Sequence, residues 1–184
     1  MNENIIGESN NRFHGFDIQV EVNLYGTGIT EIDTKINFLD HMLQLFAKHG
    51  GFDIKVSCDG DYHVDDHHTI DEIAMNLGLA FKNAISKNKK NINRFGFWIL
   101  PMDEALTTVS IDVKANRFSY VYDVEFHREK IGDMSIEMFK EFWNMFAQKL
   151  ECNLVIKSEY GTNDHHIAEG MFKCVARAIK FAVT

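Results

Sequence analysis

Asp164-His165-His166-Ile167-Ala168-Glu169 repeats, 98 residues on (165 − 67), the pattern of Asp66-His67-His68-Thr69-Ile70-Asp71. In each copy a carboxylate follows the first histidine by four residues. Positions i and i+4 share one face of a helix, so His67 with Asp71, and His165 with Glu169, can each grip one ion. The second histidine of each pair, His68 or His166, is rotated by about 100° and reaches toward a different ion. Helix capping explains part of the pattern, because Asp66 and Asp164 are good cap residues. It leaves unexplained two histidines in a first turn, where their cationic form would oppose the helix dipole. Neutral, metal-ligating imidazoles escape that conflict, and the pattern reads as a two-metal site.

The histidine pairs close a longer duplication. His41 to Lys48 (HMLQLFAK) is matched by Glu141 to Gln148 (EFWNMFAQ) at an offset of 100 (141 − 41), and Phe52 to Val56 by Cys152 to Ile156. The second copy has therefore lost two residues between strand and histidine helix. Alternating apolar and polar residues predict strands over 15–25, 107–113 and 119–124. Each half reads as two or three strands and two helices, the helices on one face of a mixed sheet. The fold class is α+β with an internal duplication, residues 1–90 and 91–184 forming the halves of one compact unit. The polar run from Lys87 to Asn93 reads as a solvated joint between them.

Bulk composition narrows the function. A length of 184 residues, 45% apolar with 15 Phe, is ample for a core, and a net charge of −8 argues against nucleic-acid or membrane-surface binding. Cys58, Cys152 and Cys174 form no CxxC pair and leave one over from any disulfide, so reduced thiols and a cytoplasmic location are expected. The opening MNENIIGESNN has neither the basic nor the apolar region of a signal peptide, and no apolar run approaches the roughly 20 residues of a membrane span.

The repeat also equates His41 with Glu141, each at the start of its helix. If His41 is a ligand, Glu141 is the candidate for the same role at the other ion. Mixed nitrogen and oxygen ligands without thiolate suit manganese, iron or zinc better than copper or calcium, with manganese first.

Several segments together resemble the imidazoleglycerol-phosphate dehydratase family. They are Phe38-Leu-Asp-His-Met-Leu43, His49-Gly50, Gly60-Asp61 and Asp65 to Thr69, Arg94-Phe-Gly96, Pro101 to Leu106, Gly161 with Asn163 to His166, and Glu169 through Phe172-Lys173 to Ala178. The resemblance implies a duplicated fold, two manganese ions, and sites shared between subunits of a 24-subunit shell. It implies dehydration of imidazole glycerol phosphate to imidazole acetol phosphate in histidine biosynthesis. That reaction removes a weakly acidic proton from the carbon bearing the imidazole, with no carbonyl to take up the charge, and so calls for Lewis-acid and general acid–base catalysis.

Residue by residue, the resemblance makes His41, His67, His68, His165, His166 and Glu169 metal ligands, with Asp71 and Glu141 at two further ligand positions. Glu169 is the leading proton-transfer carboxylate, and Asp71 is the catalytic-site acid of the other copy. His49, Arg94, Arg117 and Lys173 match phosphate-holding positions, a task suited to the planar arginine fork. Asp103 is a candidate to orient a ligand histidine. The family has Glu at the position of Asp71, His at that of Glu141, an N-terminal Glu near Gly15 (beside His14 here), and a Pro-Ser-Ser-Lys-like tail after the last helix, whereas this sequence ends at Thr184. Two alternatives stay open beside the dehydratase. One is a divergent dimetal enzyme acting on another phosphorylated or imidazole-like substrate, and the other is a metal-binding shell protein with little dehydratase activity.

Overall fold

The computed structural model describes residues 4–13, 16–59 and 66–184. His14, Gly15 and the 60–65 part of the first histidine motif lie outside the described residues, as does the side chain of Asp66. The first half runs β1 (Ile6–Phe13), β2 (Phe16–Asn23), β3 (Thr30–Asp33), α1 (Asn37–Gly50), β4 (Asp53–Asp59) and α2 (Asp66–Lys87). The second runs β5 (Phe95–Met102), β6 (Ala105–Asp112), β7 (Ser119–Asp123), a small hairpin of β8 (Lys130–Ile131) and β9 (Met134–Ser135), then α3 (Glu137–Leu150), β10 (Asn153–Tyr160) and α4 (Asp164–Val183). Each half thus has a four-stranded sheet, one strand or more beyond the number expected.

The two sheets have the same order, β1-β2-β4-β3 and β5-β6-β10-β7, and in each the last pair is parallel while the others are antiparallel. The helices repeat as closely. Apolar spacing makes α1 bury Phe38, Leu39, Met42, Leu43, Phe46, Ala47 and Gly50, and α3 buries the residues exactly one hundred further along, Met138 to Leu150. Both helices end in a left-handed residue, Gly51 (φ 62°) and Glu151 (φ 58°), whose N–H closes back on the last turn.

α2 packs on β1 and β2, and α4 on β5 and β6. Two glycines let these layers close up: a Cβ on Gly7 would meet the Ala80 carbonyl oxygen at 1.9 Å, and one on Gly96 would meet that of Ala178 at 1.9 Å. The main helix–helix contacts cross between the halves. α1 packs against α4, and α3 against α2, so four helices lie between two sheets. Their shared centre is aromatic: Trp143 is fully buried and its ring lies 4.8 Å from that of Phe172, 5.4 Å from Phe146 and 6.0 Å from Phe46. Each such side chain takes some 150–250 Å² out of water, which makes this seam the main apolar term joining the halves.

Candidate metal and substrate site

The N-terminus of α4 is set by Asn163, whose side chain accepts a hydrogen bond from the His165 N–H at 3.0 Å. Asn163, rather than Asp164, is therefore the cap, because the cap position must be extended and Asp164 is already helical. Asp164 instead turns inward, 2% exposed, and accepts from the backbone N–H groups of His127 and Arg128 and from His127 Nδ1. Burial opposes ionisation of Asp164, but the bonds from His127 and Arg128 hold its pKa below the usual carboxylate range.

One turn into α4, Glu169 meets both expected histidines. Its Oε2 lies 3.2 Å from His165 Nε2 on the same helix and 3.9 Å from His41 Nε2 on α1. The three ligand atoms lie within 4.8 Å of one another, a group that can hold a metal ion. Phe38 packs edge-on to both rings, His165 at 5.4 Å and His41 at 6.4 Å between centroids, and so fixes their tilt. The other oxygen of Glu169 pairs with Lys173, one turn further along. Burial alone would raise the Glu169 pKa; Lys173 and then His165 outweigh it and hold the carboxyl ionised.

The corresponding residues of the first half lie on α2 and α3, but among the described residues only the ligand atoms of His41, His165 and Glu169 gather into such a group. His67 Nε2 lies 3.2 Å from Asp71 Oδ2, and Glu141 on α3 is close enough for its charge to bear on Asp71. Here burial raises the pKa of Asp71, His67 opposes the rise and Glu141 adds to it. No lysine follows Asp71 as Lys173 follows Glu169, since the equivalent residue is Met75. Asp71 Oδ1 is buried without a hydrogen-bond partner, an arrangement that costs free energy unless something else satisfies it. An orphaned carboxylate oxygen beside an imidazole and a second carboxylate fits a cation.

The second histidines point elsewhere. His68 is exposed. His166 sits against the turn between β5 and β6, with Nδ1 2.7 Å from Glu104 Oε2 and Nε2 3.4 Å from Asp103 Oδ2. Glu104 raises the His166 pKa, and His166 with nearby backbone N–H groups draws that of Glu104 down to about 2. Glu104 also accepts from the N–H groups of Thr162 and Asn163, so one carboxylate steadies both the histidine and the helix start. Sequence reasoning singled out Asp103 and passed over Glu104, although the two are neighbours in a tight turn whose first residue has φ 49°.

The four expected phosphate contacts separate into two places. His49, on α1, faces Lys173 and Arg177 of α4; burial and then these two cations lower its pKa. This basic cluster adjoins Glu169. Arg94 instead donates twice to Asp112 at 2.9 Å, and Arg117 also acts on Asp112. The Arg94 N–H bonds to the Ala182 carbonyl near the far end of α4. Ala182 lies 13 residues beyond Glu169 (182 − 169), about 20 Å along the helix at 1.5 Å per residue.

A duplicated α+β scaffold that brings two histidines and a glutamate together where helices of its two halves meet, with basic side chains alongside, fits a class of metal-assisted enzymes acting on small anionic substrates. Residues 34–179 match the imidazoleglycerol-phosphate dehydratase family, and the chain belongs to that family. The chain is similar to imidazoleglycerol-phosphate dehydratase of Clostridium botulinum (strain Alaska E43), 47% identical over 165 residues, which are 90% of this chain and 84% of that one. It is 48% identical to that of Clostridioides difficile (strain 630) over 163 residues, 89% of this chain and 84% of the other. The crystal structure of imidazoleglycerol-phosphate dehydratase from Staphylococcus aureus N315 superposes with a TM-score of 0.87 at 28% identity, covering 97% of this chain and 98% of that one. The Pyrococcus furiosus structure, in complex with (S)-C348, gives 0.80 at 31% identity, covering 96% and 93%.

Proposed function

We propose that this protein dehydrates imidazole glycerol phosphate to imidazole acetol phosphate, the hydro-lyase step of histidine biosynthesis. The observation that carries the reading is the His41, His165 and Glu169 group beside the basic side chains of His49 and Lys173. His41, His165 and Glu169 would hold one divalent ion, and His67, Asp71 and Glu141 the other, manganese being the first choice. When bound, the ions supply Lewis-acid polarisation and a template for the imidazole ring and a glycerol hydroxyl. Glu169 is the carboxylate we assign to move the proton of the carbon bearing the ring, because it lies beside both His165 and His41 at the ion position. Lys173 keeps Glu169 in place and, with His49, draws the phosphate to the same end of α4. Asp71 is the matching acid of the other copy, and Asp103 with Glu104 orients His166. Loss of the proton and of hydroxide leaves an enol, which tautomerises to the ketone.

The halves at 1–90 and 91–184 work as one unit in this reading, since each group draws a helix from both. Self-association completes the sites. Arg94 lies some 20 Å from Glu169 in the same chain and Arg117 acts on the same Asp112, so both would hold phosphate at a neighbour's site, and His68 and His166 would ligate ions across the same boundary. A 24-subunit shell with shared sites accommodates this. The outer face of the second sheet supports contact with another copy: Phe97, Ile99, Val121 and Val155 are 63%, 61%, 51% and 39% exposed there. The cytoplasm is the compartment we assign, with Cys58, Cys152 and Cys174 all buried free thiols. No helix among the described residues is long and apolar enough to cross a membrane.

The test is turnover of imidazole glycerol phosphate by the manganese-loaded protein, followed as acetol product. Steady turnover supports the assignment. Absence of turnover with two ions bound per chain would overturn it in favour of a dimetal enzyme for another substrate.

A further inference from the structure

The duplication allows one ion position to be compared with the other inside a single chain. α1 and α3 align at an offset of 100 and place His41 opposite Glu141. α2 and α4 align at an offset of 98 and place His67 opposite His165, and Asp71 opposite Glu169. The α1/α4 group therefore offers two imidazole nitrogens and one carboxylate, a ligand charge of −1 with neutral rings. The α2/α3 group offers one imidazole and two carboxylates, a charge of −2. One further imidazole at each position, His68 or His166, would leave this difference intact.

The side chains that differ also differ in reach. Asp71 is one methylene shorter than Glu169 and leaves a buried oxygen unsatisfied. Glu141 is drawn partly toward Asn144, whose Nδ2 donates to its Oε2 at 3.4 Å, and is otherwise available to an ion. On the other side Glu169 commits one oxygen to Lys173 and has only the second to give. The α2/α3 position is thus rich in uncommitted anionic oxygen, and the α1/α4 position is poor in it. Hard ions favour carboxylate oxygen, whereas imidazole nitrogen strengthens the preference for later borderline ions such as Zn²⁺.

Building on the dimetal reading above, we propose that the two positions differ in ion selectivity, with Glu141 as the specificity-determining residue: both take Mn²⁺, but the α2/α3 position keeps it against Zn²⁺ more strongly than the α1/α4 position does. The test is equilibrium dialysis of the assembled, full-length protein against buffers of rising Zn²⁺ to Mn²⁺ ratio, with both metals counted per chain by mass spectrometry. In the native sequence Zn²⁺ should replace Mn²⁺ in two steps at least tenfold apart in ratio, with a plateau at one of each per chain. Glu141→His should merge the steps at the lower ratio, and His41→Glu should merge them at the higher one. Two ions exchanging in a single step in the native protein would overturn this inference and leave the dehydratase reading standing, as would two persisting steps in Glu141→His. A chain that binds neither metal would overturn both.

Discussion

The same row of the two sheets shows how far the halves have diverged. In the first sheet Glu8, Glu21, Lys55 and Glu31 stand side by side across β1, β2, β4 and β3. In the second, the equivalent row across β5, β6, β10 and β7 is Phe97, Ser110, Val155 and Val121. The opposite faces of both sheets are mainly apolar, with Val20, Val22, Ile54 and Val56 in one and Val109, Ile111, Leu154 and Ile156 in the other. A buried face must match its neighbours in volume, so both copies keep it. An outer face is constrained only by what it meets, so one copy stays charged and the other turns apolar.

The same contrast recurs at smaller scale, and it can be broken or sharpened by substitution. The largest effect is expected at the paired carboxylates. Glu169→Gln should lower kcat by at least about 100-fold, the usual contribution of a positioned proton acceptor. Asp71→Asn should lower it less, because Glu141 still offers an anionic oxygen beside it; steady-state kinetics on the two variants rank them, and equal losses would remove the functional difference between the copies. Next come the outer faces. Phe97→Glu should weaken self-association at least tenfold, a step of about 1.4 kcal/mol and less than burial of a Phe ring is worth. Glu8→Lys, at the equivalent place, should leave the sedimentation profile unchanged.

Asp53 and Asn153 give a third pair. Asp53 accepts from the backbone N–H groups of Thr27, Gly28 and Ile29 at 2.8, 3.2 and 3.0 Å, whereas Asn153 Oδ1 is buried without a partner. Burial alone would raise the Asp53 pKa, but these donors hold it below the usual range. A folded-state pKa below the unfolded value of about 3.9 contributes stability above that pH, and the contribution is lost as the pH falls through the folded value. Asp53→Asn should therefore cost about 1–3 kcal/mol at pH 7 and less at pH 3, as urea melts at the two pH values would show. The smallest effect lies at the helix ends. Gly51→Ala should cost about 1 kcal/mol in thermal melts, since nothing crowds the site and only the left-handed backbone is strained. Glu151→Gly should gain less than about 1 kcal/mol, relief of the same strain being offset by loss of the exposed Lys82 pair at 2.7 Å.

The duplication could be read from the sequence because α1 and α3 keep their apolar spacing residue for residue. Three strands of the two four-stranded sheets could not. β1 (IGESNNRF) is an edge strand too polar to alternate visibly, β3 is only four residues long, and β5 (FGFWILPM) is apolar on both faces and so shows no period of two. The i and i+4 logic places His165 on Glu169 and His67 on Asp71, since local helix geometry alone determines it. That His41 joins the first pair depends on which helices pack together, and no local pattern encodes it. Glu104 escaped notice for a related reason, as its three partners come from a segment some 60 residues away.

The crossed packing of α1 on α4 and α3 on α2 has a historical consequence. A half-length ancestor could have made neither group alone, but two copies embracing each other would have made both, identical by symmetry. Fusing the copies through the joint between Lys87 and Arg94 freed each position to change without altering the other. Glu141 opposite His41 is what such independence leaves behind.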